Sequence, residues 1–137
     1  MDRREGRVLI VDDEPSIRKA ISQILSKAQY EVVEAGDGTQ AITRLKEGDN
    51  PLMVDAILCD VQMPKINGIE AIAYFRSHHP LIPVVVLTGC LDIGVAASLM
   101  REGVMDYLVK PIGKDILLQV IKKAVDLRRT REDQSRT

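Results

Sequence analysis

Apolar residues in this chain fall into short continuous runs separated by stretches with helical spacing. Val8-Leu9-Ile10-Val11, Ala56-Ile57-Leu58-Cys59, Val84-Val85-Val86-Leu87 and Tyr107-Leu108-Val109 show no polar alternation. Strands buried on both faces of a parallel sheet have that character. Residues 30–35 add another strand, followed by a Gly36-Asp37-Gly38 turn. Between the runs, Ile17, Ala20, Ile21, Ile24, Leu25 and Ala28 recur at i, i+3, i+4, i+7, i+8 and i+11. That is one face of a helix, with Pro15 in its first turn and Asp13 or Glu14 placed to cap it. Thr39 is placed to cap a short helix bearing Ala41, Ile42 and Leu45, and Gly48-Asp49-Asn50-Pro51 reads as a plain loop.

A third helix carries Ile69, Ile72, Ala73 and Phe75, and closes at His78-His79-Pro80. Adjacent histidines on a helix point in different directions, so a solvated helix end is expected there rather than a metal site. The fourth helix, over 92–101, has its propensity lowered by Gly94, whose presence inside a helix points first to close packing. A fifth helix starts near Lys114 and carries Ile116, Leu117, Val120, Ile121, Ala124 and Val125. About five strands alternating with about five helices predict a doubly wound α/β domain, a parallel sheet with helices on both faces. The expected domain spans 1–127, leaving 128–137 as a polar tail or linker.

Composition narrows the function. With 137 residues the chain makes one domain with a real core. A net charge of −1 supplies no field for nucleic acid or an acidic membrane, and 3% aromatic residues with no Trp leave no base-stacking surface. In the tail, Glu132 and Asp133 interrupt Arg128, Arg129, Arg131 and Arg136, so nucleic-acid binding is not expected there either. Two cysteines, Cys59 and Cys90, are too few for a disulfide framework and too far apart for a zinc motif. Buried or half-buried free thiols in a reducing compartment are expected. No signal peptide and no membrane-spanning run is evident, so a cytoplasmic protein is expected.

The chemistry lies where the runs end. The first runs into Asp12-Asp13, the second into Asp60, the third into Thr88, and the last into Lys110-Pro111. In an open parallel sheet those ends share one edge, where ligands bind. Three carboxylates at close quarters need a cation to stay ionised together, and an all-oxygen donor set selects a hard ion such as Mg²⁺. The Lys110 amine and the Thr88 hydroxyl are suited to the oxygens of a phosphoryl group, with a carboxylate as nucleophile. Taken singly, each residue has a plainer role: Asp12 and Asp13 as helix caps, Thr88 as a strand end, Tyr107 as core, Lys110 as a surface amine.

Together, Asp12-Asp13, the stretch from Asp60-Val61-Gln62-Met63-Pro64 to Asn67-Gly68, Thr88-Gly89, and Tyr107 ahead of Lys110-Pro111 resemble the receiver domain of two-component response regulators. The resemblance spans roughly 7–127, with every motif in family order. It implies a flavodoxin-like fold with strand order 2-1-3-4-5, which is the order of a chemotaxis receiver. It also implies that Asp60 accepts a phosphoryl group from the phosphohistidine of a sensor histidine kinase or a phosphotransfer protein. Asp12, Asp13, Asp60 and the main-chain carbonyl of Gln62 would hold Mg²⁺, Asp12 partly through water. Lys110 would pair with Asp60 and then with the phosphoryl oxygens, and its bond to Pro111 would be cis. Thr88 and Tyr107 would form a switch that remodels the fourth-helix, fifth-strand and fifth-helix face.

The output partner would be a downstream effector protein, an output domain beyond this sequence, or a second copy bound on phosphorylation. Such a domain catalyses only its own phosphorylation and dephosphorylation. Gln62 and Cys90 resemble the family's variable positions that tune hydrolysis of the acyl phosphate. Two other readings compete. One is a Mg²⁺-dependent aspartyl-phosphate phosphohydrolase, which typically needs an Asp-x-Asp signature and a cap domain. Here the first strand leads into Asp12-Asp13-Glu14 instead. The other is a degenerate receiver used only for protein contacts.

Overall fold

A computed structural model describes residues 5–61 and 68–135. Five parallel strands, β1 (Gly6–Val11), β2 (Tyr30–Ala35), β3 (Ala56–Asp60), β4 (Val84–Thr88) and β5 (Asp106–Val109), form one sheet in the order β2-β1-β3-β4-β5. The helices are α1 (Pro15–Lys27), α2 (Gly38–Lys46), α3 (Asn50–Met53), α4 (Gly68–His78), α5 (Ile93–Glu102) and α6 (Lys114–Ser135). This is the doubly wound, flavodoxin-like architecture expected from the sequence, with one more helix. The fourth and fifth helices counted there are therefore α5 and α6.

Successive strand residues face opposite sides of the sheet, so the continuous apolar runs fill two cores. Leu9, Val11, Ile57, Cys59, Val84 and Val86 pack with Ala41, Leu45, Ile72 and Phe75 of α2 and α4. On the other face Val8, Ile10, Ala56, Leu58, Val85 and Leu87 pack with Ile21 and Leu25 of α1 and Leu117, Ile121 and Val125 of α6. All residues of β3 and β4 are buried. The order of construction reverses between β1 and β3, because β2 lies on one side of β1 and β3 on the other.

Several local expectations are corrected. The loop expected at 48–51 leads into the one-turn helix α3, which starts at Asn50, and the Asp49 carbonyl accepts the N–H groups of Leu52 and Met53. Pro51 fits such a first turn because it has no N–H to satisfy. Asp37, not Thr39, caps α2, its Oδ1 accepting the Gln40 N–H at 2.8 Å. Glu14 stands at the N-cap of α1 without a side-chain cap bond. In α4 the buried face is Gly68, Ala71, Ile72 and Phe75, while Ile69 and Ala73 are exposed. Ile116 of α6 and Ala20 of α1 also face outward.

Gly94 is exposed, and a side chain there would meet only Asp92 Oδ1, so close packing does not explain it. α5 instead draws its definition from its ends. Asp92 Oδ1 caps the Val95 N–H at 3.0 Å, and Gly103 closes the helix in the left-handed conformation at φ 99°. His78 is exposed and stacks on Tyr74, with ring centroids 4.0 Å apart. Beyond Leu127 the helix does not stop: α6 continues to Ser135, and Arg128 is buried with Nη2 donating to the Leu52 carbonyl at 3.3 Å.

Candidate functional site

Strand register alone brings the site residues level with one another. Val11 is paired with Cys59, so Asp12 comes level with Asp60 across the β1–β3 reversal. Asp60 is paired with Leu87, which places Thr88 one residue further along the edge. Thr88 is paired with Val109, and Lys110 follows. The chain at that corner is tied by the Lys110 N–H donating to the Thr88 carbonyl at 2.7 Å, and the Lys110-Pro111 bond is cis, as the resemblance implied.

Asp12 and Asp60 are buried, at 2% and 4% exposure, while Asp13 is half-buried. One carboxylate oxygen from each of the three lies within 4.8 Å of the others. Lys110 Nζ donates to Asp12 Oδ2 at 2.8 Å and to Asp60 Oδ2 at 3.1 Å, and lies 3.9 Å from Glu14 Oε1. The other Asp12 oxygen accepts the Glu14 N–H at 2.9 Å. Burial works against the Lys110 charge, yet the hydrogen bonds and charges of Asp12 and Asp60 outweigh it and raise its pKa above the ordinary lysine value. These three acids fit a hard divalent ion: the donors are all oxygen, they converge, and one positive charge already neutralises part of the set.

Thr88 is fully buried at the next strand end. Its hydroxyl donates to the Cys90 carbonyl and accepts the Cys90 N–H, both at 3.3 Å. Tyr107 is half-buried and packs against the core on the α2 and α4 face. The two thiols differ. Cys59 is buried beneath Asp60, and burial, then the charges of Asp60 and Asp12, push its pKa upward. Cys90 is exposed, contrary to the buried or half-buried state expected for both.

Gln62, Met63, Pro64 and Asn67, and with them the expected Gln62 carbonyl ligand, lie outside the described residues. Asp12, Asp13, Asp60 and Lys110 do come together, and Thr88 stands at the same edge. Two participants escaped the sequence reading. The sequence marks Glu14 only as a cap and gives no sign of Arg18, although Arg18 Nη1 donates to the Asp12 carbonyl at 2.7 Å. An arginine next to the apolar face of a helix carries no signal of such a contact, which depends on how α1 packs against the sheet.

The sequence model of the response regulator receiver domain matches residues 8–122. The chain belongs to the response regulator receiver family. The receiver is 30% identical over 128 residues to regulatory protein AtoC of Escherichia coli, covering 93% of this chain and 27% of that protein. It is 36% identical over 122 residues to the CAI-1 autoinducer sensor kinase/phosphatase CqsS of Vibrio cholerae, covering 87% of this chain and 17% of that protein. It thus spans about a quarter or less of the length of these curated relatives. Among solved structures, a receiver domain protein from Clostridium thermocellum superposes with a TM-score of 0.80 at 28% identity, covering 94% of this chain and 98% of that one. NtrX from Brucella abortus superposes with a TM-score of 0.85 at 27% identity, covering 95% of this chain and 29% of that one. Among the described residues of this receiver, no helix is long and apolar enough to cross a membrane.

Proposed function

We propose that this receiver takes a phosphoryl group onto Asp60 and uses it to switch a protein-binding face. The donor is the phosphohistidine of a sensor histidine kinase or phosphotransfer protein in the cytoplasm. An Asp60 carboxylate oxygen attacks phosphorus, the new O–P bond replaces the N–P bond, and the imidazole leaves with its electron pair. Water later attacks the acyl phosphate, releasing inorganic phosphate and returning Asp60 as a carboxylate. The observation that carries this reading is the Lys110 amine held between two buried carboxylates, Asp12 at 2.8 Å and Asp60 at 3.1 Å, at the strand-order reversal.

Asp12, Asp13 and Asp60 would hold Mg²⁺, with the Gln62 carbonyl as a further ligand. Bound there, the ion supplies screening between the nucleophilic carboxylate and the incoming phosphoryl oxygens. Lys110 follows Asp60 and donates to the new oxygens. Thr88 exchanges its weak bonds to Cys90 for a charge-assisted one, and Tyr107 moves with it. The face that changes is α5, β5 and α6, where Ile93, Met100, Val109 and Ile116 are exposed. An apolar cleft of about 200 Å³ between α1 and α6 opens beside Lys110, and suits a helix that presents the donor histidine. By analogy with its regulatory relatives, the receiver would act on an effector protein, an attached output domain or a second copy of itself.

The test is intact mass after incubation with Mg²⁺ and acetyl phosphate. A single adduct that needs Mg²⁺ and is lost in Asp60→Asn is expected. An adduct that persists in Asp60→Asn would refute the assignment of the phosphoacceptor. Absence of both adduct and beryllofluoride complex would favour the degenerate receiver. Turnover of an added phosphomonoester would favour the phosphohydrolase.

A further inference from the structure

Arg18 stands one turn into α1, outside the acidic cluster, yet its guanidinium grips the strand end that carries the cluster. Nη1 donates to the Asp12 carbonyl at 2.7 Å, and Nε donates to Glu34 Oε1 at 3.0 Å. Glu34 belongs to β2 and is paired in register with Ile10 of β1, so the arginine spans two strands and a helix. Gly36, just beyond β2, lies beside the same guanidinium: a Cβ there would stand in ordinary contact with Arg18 Nη1 at 3.5 Å and closer, at 3.3 Å, to Gln40 Oε1.

We propose that Arg18 is a positioning residue for the metal-binding acids, aimed by Glu34, and that its grip on the Asp12 carbonyl sets the place of the Asp13 carboxylate. The inference rests on the function proposed above. Asp12 is held through its own side chain, one oxygen by the Glu14 N–H and the other by Lys110. Asp13 has no such support, since its carboxylate has no hydrogen-bond partner among the described residues. Its location is therefore set by its backbone. The Asp12 carbonyl and the Asp13 nitrogen share one rigid peptide plane, so a bond to that carbonyl fixes the direction in which Asp13 departs. Partners that orient a ligand without touching the ion are known to govern metal affinity in this way.

The guanidinium charge acts in the opposite direction, because a cation near the cluster disfavours a second one. Glu34, paired to the same guanidinium, offsets that charge. The two effects have opposite signs when Arg18 is removed, which makes the outcome decisive. Loss of positioning weakens Mg²⁺ binding, whereas loss of repulsion tightens it.

The experiment is calorimetric titration of the full chain with Mg²⁺, using Arg18→Met, Glu34→Gln and the double variant, each with a thermal melt. Arg18→Met is expected to weaken Mg²⁺ on the order of three- to tenfold, with Glu34→Gln weaker in the same direction. The double variant should be no worse than Arg18→Met, because both changes remove one device. At saturating Mg²⁺ the rate of adduct formation from acetyl phosphate should return to within about twofold of the unaltered chain, a recovery that general structural damage would not show. Unchanged or tighter Mg²⁺ binding in both single variants would overturn the proposal, as would fully additive effects. If Arg18→Met does not fold, Glu34→Gln, on a side chain 39% exposed, carries the same test. Failure of the unaltered chain to bind Mg²⁺ would instead overturn the proposed function, and this inference with it.

Discussion

Lys110 is bound more closely to Asp12, at 2.8 Å, than to Asp60, at 3.1 Å. The lysine that would serve the phosphoryl group thus shares its charge with an acid of the cluster proposed to hold Mg²⁺. Without a divalent ion, the ammonium is what keeps two buried carboxylates compatible with each other. Lys110→Met is expected to lower stability by about 2 kcal/mol near neutral pH, as loss of hydrogen bonds to charged groups does. Added Mg²⁺ should restore part of that loss. Urea unfolding with and without the ion measures both.

The raised pKa of Lys110 fixes the pH window of that contribution. A folded-state value above the unfolded one favours the folded state as long as the unfolded amine is protonated, below about 10.4. The stabilisation then fades as pH rises through the folded value. The stability gap between the unaltered chain and Lys110→Met should therefore be flat from neutral pH to mild alkali, and narrow beyond. Paired urea melts across that range would show it; a gap that narrows toward acid instead would contradict it.

Gly68 opens α4 directly against the end of β3 that carries Asp60. A Cβ placed there collides with the Asp60 carbonyl and the Val61 Cα, which are backbone atoms unable to swing aside. Gly68→Ala is expected to cost about 1–3 kcal/mol, the usual range for overpacking. It should also slow Asp60 phosphorylation, because the displaced backbone is that of Asp60 itself. Denaturation midpoints and adduct rates at fixed Mg²⁺ would separate the two effects.

The thiols should report on the two sides of the site. Cys59 is buried and its ionisation is opposed, whereas Cys90 is exposed two residues beyond Thr88. The native chain should react with Ellman's reagent at one thiol, and the unfolded chain at two. Cys90→Ser should abolish the native reaction. A fast native reaction in that variant would mean that the strand beneath Asp60 opens readily.

Arg128 is buried, and its Nε and Nη1 find no hydrogen-bond acceptor among the described residues. Among the described residues its hydrogen bond, from Nη2 to the Leu52 carbonyl, is long at 3.3 Å. Replacing an incompletely satisfied buried cation by an apolar side chain of similar reach is often neutral or stabilising. Arg128→Met is expected to raise stability by about 1 kcal/mol. Thermal and urea melts test this; a marked loss would show that the guanidinium is fully solvated or paired in solution.

The sequence by itself determined the fold and the main members of the candidate site. Parallel strands buried on both faces must be continuously apolar, so they stand out from amphipathic helices, and polar residues where such runs stop must share one edge. Asp12, Asp13, Asp60, Thr88 and Lys110 were legible for that reason. What it left open depends on contacts between distant segments. The buried face of α4 runs through Ala71 rather than Ala73, because Gly68-Ala71-Ile72 and Ile69-Ile72-Ala73 both have i, i+3, i+4 spacing and share Ile72, so only packing chooses between them. Arg128 is 76 positions from the Leu52 carbonyl that it meets, so a charge run that reads as a solvated tail continues as helix against the body. Only the tertiary structure placed Lys110 nearer Asp12 than Asp60 and put Arg18 on the Asp12 carbonyl. Those pairings are set by the angle of α1 and the corner after β5, and side-chain reach across such angles leaves no periodicity for a sequence to display.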